Sequence, residues 1–458
     1  MPEPSVTPNL PESPTLLGRR MVAIALPVVA NNLLTVGMQL TDTVMAGRLS
    51  ANALAAVSVG GSIFVPFFLL ALGVLGALSP MSAQLYGAGR VAGIGLLSRQ
   101  AAWLALLLAG LLMTGFHFLG PLYAFANIDE SLASVSADYV VALAWGLPAI
   151  FLYLVLRFAS EGIGHTRPMF YVALAAFLIN IPLDYWFVYG GFGVPQMGAV
   201  GCGYATAIAM WVQFAAMLIY VLTKKRRYRP LQLFQRFERP RFAPLSELTR
   251  LGVPIGVMLF AEVSLFGAVA LLMASFGTVT AAAHQIAVSV ASFSFMFPLG
   301  LATGITVVVG QAIGNDRPDL ARRAGLVGIG LSLAFELAAA ILIVLLRQPI
   351  AQLFTTNQAV IALAATLLLM CAAFQLSDGL QVASAGALRG LKDVRVPMWI
   401  TVLAYWGTGL PLAWAFGFPL GIGPVGVWVG LIAGLTVAGL LLVRRFVRNR
   451  NAGAIMAA

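Results

Sequence analysis

Twelve apolar runs, each about as long as a membrane is thick, follow one another along this 458-residue chain with little else between them. A hydrocarbon layer of about 30 Å takes roughly twenty residues of α-helix to cross. On that rule the runs predict helices over 20–46, 54–80, 92–119, 132–157, 168–190, 198–222, 248–275, 279–309, 322–346, 358–387, 396–418 and 424–446. Only 9% of residues are charged and 60% are hydrophobic, too few charges to cover a soluble globule of this size. The fold class is therefore an all-α integral membrane protein.

The longest interruption, from Thr223 to Ser246, holds eight of the 27 Lys and Arg: Lys224, Lys225, Arg226, Arg227, Arg229, Arg236, Arg239 and Arg241. Such a run cannot lie in hydrocarbon, so a solvated or headgroup-level linker is expected. No soluble domain adjoins it, which argues against a nucleic-acid partner. Pairing the helices as hairpins leaves only Arg48 and Arg347 on the opposite face, with the other 25 basic residues on the linker side. By the positive-inside rule that side is cytoplasmic and holds both termini. The net charge of +11 then reflects anionic lipid. The predicted organisation is an N-terminal tail (1–19), a first lobe (20–222), the linker (223–246), a second lobe (247–446) and a C-terminal tail (447–458). The polar, Pro-rich first twenty residues carry no apolar core ahead of a cleavage site, so no removable signal peptide is expected.

An internal repeat underlies the two lobes. A shift of 227 residues superposes Pro27 on Pro254, Ala55 on Ala282, Gly73 on Gly300, Gln84 on Gln311, Gly87 on Gly314 and Arg90 on Arg317. Six helices separate the copies, so both enter the membrane in the same sense, and the repeat is parallel about an axis along the membrane normal with a cleft expected between lobes. Pro27 and Pro254, near the start of each lobe, remove a backbone hydrogen bond and are candidate hinges, although lobe packing accounts for them equally well.

Carboxylates deep in apolar spans are costly and mark functional positions. Five stand out: Asp42, Asp184, Glu262, Glu336 and Asp378, with Asn180 one turn before Asp184 on the same helix face. In the register of the repeat none meets an acidic counterpart, so the scaffold alone does not require them. A desolvated carboxylate takes up either a proton or a cation, and the two compete. Na⁺ or H⁺ and an organic cation could each neutralise such a site, which is the chemistry of antiport. A hard cation would want oxygen ligands, making Glu262 with Asp378, or Asp42 with Asn180 and Asp184, candidate Na⁺ sites. Gln39, His284, Glu336 and Phe266 are secondary candidates; a satisfied local hydrogen bond is the plainer account of His284. Phe260, Phe266, Phe293, Phe295, Met258, Met273 and Met296 offer an adaptable apolar wall, or equally ordinary core and lipid-facing surface.

Soluble-enzyme signals are missing from the sequence. It has no phosphate-binding glycine loop, so ATP is not the expected energy source, and His117, His165 and His284 lack partners at metal spacing. Cys202 and Cys371 lie in apolar segments as small buried hydrophobes. No enzymatic activity, cofactor or nucleic-acid partner is expected.

The stretches LTDTVMAGRLSANALAAVS (40–58), SAQLYGAGR (82–90), EVSLF (262–266), AAHQIA (282–287), GQAIG (310–314) and ALRGLKDVRVP (387–397) resemble the MATE family of multidrug and toxic compound extrusion transporters, in detail its NorM-type branch. The resemblance spans all twelve helices. It implies two six-helix lobes in a V, exporting hydrophobic and cationic drugs against Na⁺ or H⁺ entry, in a bacterial inner membrane and as a monomer. It also implies that Asp42, Glu262 and Asp378 match the family's acids on helices 1, 7 and 10. Asn180 and Asp184 match polar positions that accompany the helix-1 acid in the DinF-type branch, so either lobe could couple the ion. A major-facilitator-like drug/proton antiporter would need a different signature after helix 2, where this chain reads AQLYGAGRVAG. A flippase for lipid-linked precursors would be expected to place basic groups in the cleft, whereas the deep charges here are acidic.

Overall fold

The computed structural model describes residues 12–191 and 193–449. Helix α1 (Pro14–Leu49) leads into α2 (Ala51–Gly76) and α3 (Leu78–Gly87), then α4 (Val91–Phe116), the short α5 (Gly120–Phe125), α6 (Glu130–Ala144), α7 (Leu147–Gly162), α8 (Arg167–Tyr189) and α9 (Ala199–Thr223). The turn α10 (Lys225–Tyr228) opens the linker. After it come α11 (Phe242–Ala274), α12 (Thr278–Gly314), α13 (Pro318–Phe354), α14 (Gln358–Gly390), α15 (Arg395–Val402), α16 (Leu410–Gly417) and α17 (Pro424–Arg448).

Ten helices among the described residues are long and apolar enough to cross a membrane, and α6 with α7, bent by 44°, make an eleventh. The bend falls where Pro148 has no N–H for the Ala144 carbonyl. Beside it, Gly146 lets α9 approach, since a Cβ there would stand 2.5 Å from Met210 Sδ. The last predicted run, 396–418, is also helical, but a π-helical stretch, Leu403–Gly409, separates α15 from α16. Pro411 at the start of α16 cannot donate to the preceding turn, and Gly407 and Gly409 yield easily there. The chain is a multi-pass, all-helical membrane protein.

Two compact units are interleaved along it. One comprises the chain up to Val29, Ala83–Gly89 and all from Val257; the other comprises Ala30–Ser82 and Arg90–Gly256. The chain therefore changes unit within α1 after Val29 and within α11 after Gly256, two positions related by the 227-residue repeat. Pro27 and Pro254 each lie two residues before the change. Glycines make both arrangements possible. In the first unit a Cβ on Gly304 would stand 2.6 Å from the Met21 carbonyl of α1, and in the second a Cβ on Gly252 of α11 would stand 2.0 Å from the Val74 carbonyl of α2. Backbones this close are the small-residue packing that lipid favours, because apolar side chains gain nothing over lipid tails.

The linker, expected as a solvated or headgroup-level segment, is docked on the protein through its backbone. Tyr228, Leu231 and Leu233 are buried, and the segment lies along the first turns of α4. Arg99 donates to the Gln232 carbonyl and pairs with Glu238 at 3.2 Å; Trp103 Nε1 donates to the Glu238 carbonyl at 2.8 Å. Gln100 donates to the Arg239 carbonyl at 3.1 Å and accepts from the Arg241 N–H at 2.7 Å. Backbone groups are thus satisfied by side chains of α4, while all eight basic side chains stay exposed.

Candidate functional site

In the second unit, α1, α8 and α9 bring Asp42, Asp184, Asn180 and Thr206 together. Asp42 is 4% exposed, and Asn180 and Asp184 are wholly buried. Thr206 Oγ1 donates to Asp42 Oδ2 at 2.9 Å and accepts from Asn180 Nδ2 at 3.4 Å. The Asp184 carboxyl adjoins that of Asp42 closely enough for one proton to be shared between them. Asp42 Oδ1, both Asp184 oxygens and Asn180 Oδ1 have no donor among the described residues. Buried oxygens left this way call for a proton or a cation, and this oxygen set fits either one. Tyr139, buried alongside, lies within electrostatic reach of both acids. Gln39, one turn before Asp42, is exposed.

In the first unit a second cluster gathers Glu262 of α11, Glu336 of α13, and Asp378 and Arg389 of α14. Asp378 lies within electrostatic reach of Glu262 and Glu336, and Glu262 within reach of Arg389. Tyr405, in the π-helical stretch, neighbours Glu262 and Asp378. Glu336, a secondary candidate by sequence, belongs to this cluster. A Cβ on Gly379 would stand 2.5 Å from Glu336 Cγ, and Ser332 Oγ donates to the Gly379 carbonyl at 3.1 Å. The glycine next to Asp378 therefore makes the notch that the Glu336 side chain fills. Both Glu336 oxygens, both polar atoms of the Gln375 amide and the Tyr405 hydroxyl are buried without partners among the described residues. The cluster thus holds three carboxyls and one guanidinium, the latter within reach of Glu262 alone, a set that protons or cations would neutralise.

Other expectations are altered. His284 does not make the local hydrogen bond expected of it: its Nδ1 has no partner among the described residues, and its ring meets Trp428 edge-on with centroids 5.7 Å apart. Phe266 lies edge-on to Phe374, which meets Trp428 in turn. Met258 and Met273 are core residues, whereas Phe293 is 71% exposed. Deep charge is not all acidic either. Besides Arg389, Arg157 pairs with Glu161 at 2.8 Å in α7.

Thr206, Tyr139, Tyr405, Arg389 and Gly379 were not singled out in the sequence. Arg389 and the Gly- and Pro-flanked Tyr405 stretch carried a signal, a cation near the end of an apolar run and a weakened helix. Thr206 carried none.

The MatE family model matches residues 27–186 and again 254–415, two copies whose starts are 227 residues apart. The multidrug resistance protein PmpM of Pseudomonas aeruginosa is 42% identical over 436 residues, 94% of this chain and 91% of that protein. A probable multidrug resistance protein NorM of Shewanella oneidensis is 42% identical over 437 residues, 94% of each chain. Among solved structures, a eukaryotic MATE transporter, AtDTX14, superposes with a TM-score of 0.87 at 19% identity, covering 95% of this chain and 97% of its own. An outward-facing multidrug resistance MATE transporter of the MOP superfamily gives 0.87 at 21%, covering 96% and 97%. At those identities the structural matches speak for the fold.

Proposed function

Because the chain belongs to the MatE family, we propose that it is a multidrug exporter that expels hydrophobic and cationic compounds in exchange for Na⁺ or H⁺. The observation that carries this reading is the pair of acid clusters, one in each unit, in which Asp42 Oδ1 and both carboxyl oxygens of Asp184 and of Glu336 are buried without a donor among the described residues. A proton, a hard cation and an organic cation each neutralise such a carboxyl, and one displaces another. If the chambers holding the acids open alternately to the two sides of the membrane, inward flow of the coupling ion drives outward flow of drug. In this reading Asp42, Asp184 and Asn180 form one coupling site and Glu262 and Asp378 the other. Pro27 and Pro254 act as hinges where the chain passes between units. The charge asymmetry of the loops supports cytoplasmic termini and an inner-membrane location, and a single chain suffices for the cycle.

The test is efflux of a fluorescent organic cation from proteoliposomes with pH and Na⁺ gradients imposed separately. One of the two gradients should drive efflux. Efflux that neither gradient drives would reject ion-coupled export.

A further inference from the structure

We propose that the docked linker is a binding surface for anionic phospholipid of the cytoplasmic leaflet. Three phenylalanines stand in its second half, Phe234, Phe237 and Phe242, and they are 54%, 84% and 87% exposed. Arg236, Arg239 and Arg241 alternate with them, all exposed. The only acid from Thr223 to Ser246, Glu238, is committed to Arg99. A cationic and aromatic face held out in this way has the chemistry of a lipid headgroup above acyl chain: guanidinium for phosphate, ring for the first methylenes.

Depth supports the assignment. The Phe237 ring meets Trp103 edge-on with centroids 5.8 Å apart. Trp103 lies twelve residues into α4, or about 18 Å from its linker-side end. The 26-residue α4 is about 39 Å long, roughly 9 Å more than the hydrocarbon layer. With that excess placed at the linker end, the Trp103 backbone lies about 9 Å inside the hydrocarbon edge, and its side chain, leaning back toward the start of the helix, reaches the interface. Phe237 is carried to the boundary between headgroup and acyl chain, where an exposed ring is stable and a solvated loop would not be. The segment is also rigid enough to present these groups in register, since Arg99, Gln100 and Trp103 hold its carbonyls and an N–H.

The test uses the full chain, delipidated in detergent and titrated with phosphatidylglycerol, phosphatidylcholine or soluble glycerol phosphate. Lipid retention is read by native mass spectrometry, and protection by thermal unfolding. Phosphatidylglycerol should be retained and should raise the unfolding temperature; phosphatidylcholine and glycerol phosphate should do neither. R236Q/R239Q/R241Q should lower apparent affinity at least about tenfold, and the matching lysine triple should keep most of it. F237S/F242S should weaken retention while leaving its salt dependence intact. Wild-type retention by the glutamine triple, or glycerol phosphate acting as well as phosphatidylglycerol, overturns the proposal. If the glutamine triple does not accumulate, F237S/F242S decides alone, and unchanged retention overturns it.

Discussion

Thr206 Oγ1 on α9 donates 2.9 Å to Asp42 Oδ2 on α1, so a hydroxyl 164 positions away in sequence holds one oxygen of the first-helix acid. The other oxygen has no donor among the described residues, and the Asp184 carboxyl adjoins. Thr206→Val keeps the shape and removes the donor, leaving a second buried carboxyl oxygen unpartnered. We expect a loss of about 1–3 kcal/mol in stability, with Thr206→Ser close to wild type. Thermal unfolding of the purified variants measures this, and a valine variant as stable as the serine one contradicts it.

Within the other cluster, Asp378→Asn and Glu262→Gln are each expected to abolish drug resistance in an efflux-deficient host at unchanged expression. Resistance that survives both substitutions would remove these acids from the transport cycle.

Gly379 of α14 and Glu336 of α13 oppose each other closely. A Cβ on residue 379 would stand 2.5 Å from Glu336 Cγ, so Gly379→Ala should destabilise by about 1–3 kcal/mol through overpacking. Glu336→Ala frees that volume, and the double variant should recover part of the loss. Strictly additive effects in a double-mutant cycle would mean that the two side chains do not meet.

His165, in the turn between α7 and α8, ties that turn to the linker. Its Nδ1 accepts from Arg227, and its Nε2 lies 3.0 Å from the Tyr220 hydroxyl. Burial, then the neighbouring cations Arg227 and Arg167, push its pKa down from 6.5 to about 4. The released state therefore binds a proton that the docked state refuses, so docking is at full strength above the ordinary value and weakens as pH falls from 6.5 toward 4. Hydrogen exchange over residues 224–241, corrected for intrinsic rates, should speed up between about pH 7 and about pH 5. His165→Gln should remove that dependence; the same dependence in the variant would assign it elsewhere.

How far these features could be read beforehand depends on the kind of signal each residue leaves. A carboxylate in an apolar run is conspicuous, because lipid penalises it wherever it sits; Asp42, Asp184, Glu262, Glu336 and Asp378 could all be found that way. Thr206 and Tyr405 look ordinary in a greasy helix, and only the fold brings them beside an acid. Gly379 gains meaning from the Glu336 side chain opposite. The linker's charge announces exposed side chains, but not the docking of its backbone, which depends on Arg99, Gln100 and Trp103, more than a hundred residues earlier. Pro27 and Pro254 suggested bends, but nothing local said that α1 and α11 would change unit two residues later.

Competition for negative charge at the deep carboxyls is measured most directly by equilibrium binding of a fluorescent organic cation to the purified protein across a matrix of pH and Na⁺ concentration. Apparent affinity should fall as the coupling ion rises, and that dependence should be reduced or lost when Asp42 or Asp378 is replaced by asparagine. Binding that is tight in the wild type yet indifferent to both pH and Na⁺ would contradict the exchange of ion for drug at these carboxyls.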